Sequence, residues 1–163
     1  MPIDYTNYFG VKYYLHKGLT KKGTPKFWFA KNMEGDLLED MPKGYEIYEN
    51  PNGQVFLRKI PIKIITDQEI HSVESSIPKD LLYKIDVKKK NITIYISGGE
   101  YYAYQALMRF ILIDADLREF DVQRYCFRGS IDDWIYLDSS YDLRMLARKY
   151  CIHLGEESFY DLI

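Results

Sequence analysis

The sequence predicts an α+β protein in which one or more antiparallel sheets, of about eight strands, are formed from consecutive hairpins. Short runs of β-branched and aromatic residues recur along the 163 residues and are separated by turn-forming residues. Apolar residues at helical spacing are confined to two segments, about 67–77 and 141–154, and a short helical turn is expected at the C-terminus. The length fits a single domain over residues 1–163.

Three hairpins are predicted from paired β-forming runs. They join residues 11–16 to 26–31, 45–49 to 54–59, and 82–87 to 92–96. The second has the clearest turn, Asn50-Pro51-Asn52-Gly53. Pro51 presets φ for a type I turn, and Gly53 can take the left-handed conformation that returns the chain.

The first helix is predicted from its N-terminal signal. Thr66 and Glu69 have the spacing of a capping box, in which each side chain bonds to the backbone of the other. Apolar residues then recur at helical spacing as far as Ile77, and Pro78 ends the helix. The narrow apolar stripe predicts a helix that covers one face of a sheet.

Residues 100–113 are compatible with a helix or with a buried strand. Aromatic and β-branched residues favour the strand, and residues 119–127 alternate as its antiparallel partner would. Residues 128–133 are predicted as a turn and 134–137 as a short strand. Capping residues 138–140 then precede the second helix, after which Gly155 occupies the position of a C-terminal cap.

Composition restricts the classes of function. The net charge of −2 argues against general attraction to nucleic acid or acidic lipid. The apolar runs are too short to span a bilayer. Cys126 and Cys151 lie in apolar segments and are expected to be buried and reduced, which suggests a cytoplasmic protein. No cofactor or metal is expected.

The favoured binding surface surrounds Trp134. A tryptophan beside acids and close to arginines combines a flat apolar face with both charge signs, which is typical of recognition surfaces. The predicted ligand-binding residues are Arg124, Arg128, Asp132, Asp133, Trp134 and Tyr136. Trp134 and Tyr136 are expected on the outer face of a strand, near the guanidinium of Arg124 or Arg128. In the alternative interpretation Trp134 is a core residue and Asp132 pairs with Arg128.

The function predicted is a non-enzymatic binding or protein-interaction domain of an intracellular protein. One alternative is a metal-dependent enzyme acting on nucleotides or nucleic acid through acids between Asp114 and Asp133, since hard cations require several oxygens. The candidate acids are Asp114, Asp116, Asp121, Asp132 and Asp133, and the alternative requires Asp114 or Asp116 to converge with Asp132 or Asp133 on one cation. The other alternative is a nucleic-acid-binding module that uses Lys84, Lys88, Lys89 and Lys90.

Overall fold

The computed structural model describes residues 1–98, 103–128 and 131–163, with only the backbone described at residues 128 and 131. The described residues form ten strands in three antiparallel sheets, two α-helices and a short 3-10 turn, so the α+β class is confirmed. The chain divides into two compact units, Met1–Pro61 and Ile62–Ile163. Among the described helices, none is long and apolar enough to cross a membrane.

The first unit contains a three-stranded sheet and a separate hairpin. Its strands are β1 (Asp4–Thr6), β2 (Lys12–Leu19), β3 (Pro25–Ala30), β4 (Tyr45–Glu49) and β5 (Val55–Lys59). The order of the sheet is β1-β2-β3, and β4 pairs with β5. Gly53 has a φ of +83°, which confirms the predicted turn between β4 and β5. The side-chain amide of Asn7 donates to the Gly53 carbonyl at 2.8 Å and holds that turn against the loop after β1.

The second unit is a five-stranded sheet with two helices. Its elements are α1 (Asp67–Glu74), β6 (Tyr83–Lys88), β7 (Asn91–Ser97), β8 (Tyr104–Asp114), β9 (Glu119–Arg128), β10 (Ile131–Ser140), α2 (Leu143–Cys151) and the 3-10 turn (Glu157–Asp161). All neighbours are antiparallel, in the order β10-β9-β8-β7-β6. The strand interpretation of residues 100–113 is therefore confirmed from Tyr104 onward; residues 99–102 lie outside the described residues.

The core of this unit lies between one face of the sheet and the two helices. Alternate residues of β7, β8 and β9 are completely buried there, as a period of two requires. They include Ile92, Ile94, Met108, Phe110, Phe120 and Val122, which cluster with Val73 of α1 and Leu146 of α2. Cys126 and Cys151 are buried and free, and burial raises the pKa of the Cys151 thiol to about 12.

Both predicted helices are present but shorter than expected. The capping box at Thr66 is formed as predicted, whereas α1 ends at Glu74, before Ile77. α2 begins after Asp142, whose side chain accepts from the Met145 amide at 3.1 Å. Residues 138–140, predicted as its cap, instead belong to β10.

The predicted turn at residues 128–133 is wrong in extent. β9 continues to Arg128, and β10 begins at Ile131, so Asp132 and Asp133 are strand residues opposite Phe127 and Cys126. Acidic residues are tolerated here because β10 is an edge strand, where solvated charges also discourage pairing with another chain. Only residues 129–130 separate the strands, and they lie outside the described residues.

Candidate binding surface

The candidate surface is the outer face of the five-stranded sheet, the face opposite to α1 and α2. Strand register decides which side chains share it. Trp134 lies opposite Tyr125, and Tyr136 lies opposite Gln123, which in turn lies opposite Arg109. Because side chains alternate along each strand, these five project from the same side of the sheet.

Three aromatic rings form a cluster on this face. The ring cluster consists of Tyr125, Phe127 and Trp134. The Tyr125 ring lies 4.9 Å from that of Phe127 and meets the Trp134 ring edge-on at 5.2 Å between centroids. Tyr125 and Trp134 are half-buried, whereas Phe127 is 44% exposed. Edge-on and tilted contacts are favourable arrangements for aromatic pairs, so the cluster is a preformed apolar surface.

Arg109 is held against the ring cluster. Its guanidinium carbon lies 4.3 Å from the centroid of the Trp134 ring, and its Nε donates to Oε1 of Gln123 at 2.8 Å. Desolvation by burial lowers the pKa of Arg109 below its usual value, against an opposing effect of the Asp133 carboxylate. Arginine stays protonated despite this shift, so the face carries a fixed, partly desolvated positive charge.

Tyr136 extends the surface beyond the ring cluster. It is 54% exposed, and its hydroxyl lies 2.7 Å from the hydroxyl oxygen of Ser139. The Ser139 hydroxyl donates to the Asp121 carboxylate at 2.6 Å. These bonds fix the phenol without covering its ring. The outer-face position expected for Trp134 and Tyr136 is thus what the structure shows.

Arg124 does not belong to this surface. It is only 3% exposed and lies on the inner face with Phe120 and Val122. Its Nε donates to the Leu162 carbonyl at 2.7 Å, and its guanidinium lies over the Phe159 ring at 5.4 Å. Of the two arginines expected near Trp134, Arg124 is wrong, because alternation places it on the opposite face, where it anchors the C-terminal segment.

The two acids before Trp134 have different surroundings. The Asp133 carboxylate accepts from the Trp134 backbone amide at 2.7 Å, which occupies a donor on this edge strand. Asp132 is exposed on the outer face. The side chain of Arg128 lies outside the described residues, and so does the expected pair between Asp132 and Arg128.

The acids of the proposed metal site do not converge. Asp114 is the last residue of β8 and Asp116 lies in the loop before β9, whereas Asp132 and Asp133 lie at the other end of β9. A strand of this length separates its ends by roughly 30 Å. The Asp114 carboxylate accepts from the backbone amides of Asp116 and Leu117, as turn chemistry predicts. Within the described residues, no group of three potential ligands could hold a metal ion.

Lys84 lies apart from the other three lysines of the β6–β7 hairpin. Lys84 lies on β6, with its ammonium 4.7 Å from the centroid of the Tyr104 ring. Lys88 is the last residue of β6, and Lys89 and Lys90 form the turn, where Lys89 has a φ of 55°. Lys84 therefore lies four residues, roughly 13 Å, along β6 from Lys88 and the two cations of the turn.

Phe127 links the ring cluster to a groove at the end of the sheet. The groove has a volume of about 580 Å³ and is bordered by apolar side chains, including Leu107 and Phe159, and by Glu156 and Glu157. This volume lies within the range of small-ligand pockets.

Sequence patterns do not identify Arg109, Gln123 and Tyr125 as parts of the surface. Arg109 lies within an apolar run, and its proximity to Trp134 depends on the pairing of β8 with β9 and of β9 with β10. Alternation along residues 119–127 does place Tyr125 and Gln123 on one side, but does not show which side is exposed. No protein-family model, curated protein or solved structure matches this chain.

Proposed function

We propose that this chain is a non-enzymatic binding domain that recognises a partner protein through the outer face of its five-stranded sheet. The observation that carries the proposal is the ring cluster stacked with Arg109 on a face that the unit's helices do not cover. Tyrosine, tryptophan and arginine are the residues most enriched at interface hot spots. Their mutual contacts reduce the side-chain entropy that binding would otherwise cost.

The edge of the sheet is less suited to binding than its face. Two backbone amides of β10, at Trp134 and Ser139, already donate to the carboxylates of Asp133 and Asp138. β10 also contains a bulge between Tyr136 and Asp138. Occupied amides and bulges hinder the addition of another strand, which favours contact through side chains of the face.

The proposal is tested by affinity capture from a lysate with immobilised protein. Wild type is compared with Trp134→Ala and with Phe127→Ala, both of which alter the ring cluster. The control is Met145→Ala, since Met145 is 46% exposed on α2 and remote from the outer face. Melting temperatures are recorded for every variant.

We expect one or more proteins to be enriched by wild type and by the Met145 variant, and lost from both ring-cluster variants while these remain folded. Capture that is equal on all four proteins, or lost equally with Met145→Ala, would contradict the proposed surface.

A further inference from the structure

Arg109 is positioned before any partner binds. The Trp134 ring covers one side of its guanidinium, and Gln123 accepts from Nε. Among the described residues, neither terminal nitrogen of Arg109 makes a hydrogen bond to the protein. The planar pair of terminal nitrogens is the part of arginine that binds a carboxylate through two parallel hydrogen bonds.

The surroundings of Arg109 favour an acceptor that carries charge. Trp134 and the neighbouring strands remove part of its hydration, which is also the reason for its lowered pKa. A partly desolvated cation gains more from a charged acceptor than a fully solvated one. The side-chain amide nitrogen of Gln123, whose oxygen is engaged by Arg109, is a second donor at the same place.

Two acids near Arg109 on this face restrict the identity of the partner. Asp132 precedes Trp134 by two residues on the same side of β10, roughly 7 Å along the strand. Asp121 also lies on this face, opposite Ile111 and Ser139. A chain of phosphates would encounter these acids, whereas a single carboxylate needs only Arg109. A basic group beside that carboxylate would complement Asp132.

From this geometry, and resting on the binding function proposed above, we infer the chemistry of the partner segment. Arg109 binds a carboxylate of the partner protein, the ring cluster contacts an adjacent apolar side chain, and Asp132 pairs with a basic side chain on the other side. The segment therefore carries basic, apolar and acidic side chains in succession.

The inference is tested with three blocked peptides, acetyl-Lys-Phe-Glu-amide, acetyl-Lys-Phe-Gln-amide and acetyl-Gln-Phe-Glu-amide. Binding is followed by the ¹⁵N chemical shift of the Trp134 indole, with the Trp28 indole of the first unit as the internal reference. Arg109→Gln and Asp132→Asn are compared with wild type. Arg144→Gln, which removes an exposed cation of α2, is the matched control. A short oligothymidylate forms a separate arm.

We expect replacement of Glu by Gln in the peptide to weaken binding about tenfold on wild type and on Arg144→Gln, in line with the loss of a charge-assisted hydrogen bond. The same replacement should leave the affinity of the peptide for Arg109→Gln unchanged. Replacement of Lys by Gln should weaken binding on wild type more than on Asp132→Asn.

Equal binding of the Glu and Gln peptides to wild type would overturn the assignment of Arg109. If both peptides bound equally but still shifted the Trp134 indole resonance, only the role assigned to Arg109 would be overturned. The proposed surface is tested separately by the affinity capture. Absence of any shift with all peptides also overturns the inference. Tighter binding of the oligothymidylate that depends on Arg109 would show that the partner is a nucleic acid.

Discussion

Glu69 has two roles at the residue scale. Its carboxylate accepts from the Thr66 amide at 2.9 Å and also receives two hydrogen bonds from Arg118, whose backbone has a left-handed φ of 55°. Burial alone would raise the pKa of Glu69, but the hydrogen bonds from Arg118 and Thr66 outweigh burial and lower it. One side chain therefore caps α1 and ties it to the β8–β9 loop.

This lowered pKa predicts a dependence of stability on pH. The folded state favours the ionised form of Glu69, so the stabilisation is present above the unfolded pKa of about 4.3 and is lost as pH falls through the lower folded pKa. We expect the unfolding free energy of wild type to decrease more steeply between about pH 5 and pH 3 than that of Glu69→Gln. Urea unfolding at a series of pH values across this range measures the unfolding free energy, with Glu156→Gln as an exposed control. Parallel curves for wild type and Glu69→Gln would contradict the account.

Arg109 and Arg124 show how far residue-level prediction extends. Both lie in β-forming runs, and alternation correctly separates Arg124 from Gln123 and Tyr125. Alternation alone does not reveal that the Arg124 face is covered by α2 and the C-terminal 3-10 turn. That fact depends on contacts between segments distant in sequence, such as the bond from Arg124 to the Leu162 carbonyl.

At the scale of elements, the cap of α1 provides a local test. Thr66 accepts from the Glu69 amide at 3.2 Å, which completes the capping box. We expect Thr66→Ala to lower the unfolding free energy by about 1 kcal/mol, a typical cost of a lost cap. Thr66→Ser keeps the hydroxyl and should retain most of the stability. An unchanged denaturation curve for Thr66→Ala would show that the cap does not stabilise the helix.

The ends of elements are harder to predict from sequence than their existence. The starts of α1 and of the β4–β5 turn follow from local chemistry at Thr66 and Gly53, and both are found as predicted. β10 is predicted as residues 134–137 but extends over Ile131–Ser140. Its acidic and serine residues resemble turn residues in sequence. They are tolerated because β9 supplies backbone partners on one side and solvent reaches the other.

At the scale of the whole molecule, cooperativity between the two units remains a prediction. The prediction of a single domain over residues 1–163 requires both units to unfold together, as small domains usually do. The chain offers one tryptophan in each unit, Trp28 and Trp134. Trp28→Phe and Trp134→Phe therefore each leave one fluorescent reporter. We expect the two denaturation midpoints to coincide after correction for the stability of each variant, as measured by circular dichroism. Distinct midpoints would show that the units are separate domains.

The central claim is that the ring cluster serves binding and contributes little to the stability of the fold. The most direct test is the unfolding free energy of Trp134→Ala. Trp134 is half-buried, and its stacking with Arg109 contributes about 0.5–1 kcal/mol. We expect Trp134→Ala to lower the unfolding free energy by no more than about 2 kcal/mol, whereas Phe110→Ala, which empties a completely buried site, should cost about 3–5 kcal/mol. A loss for Trp134→Ala as large as that for Phe110→Ala would show that Trp134 belongs to the core and would contradict the account.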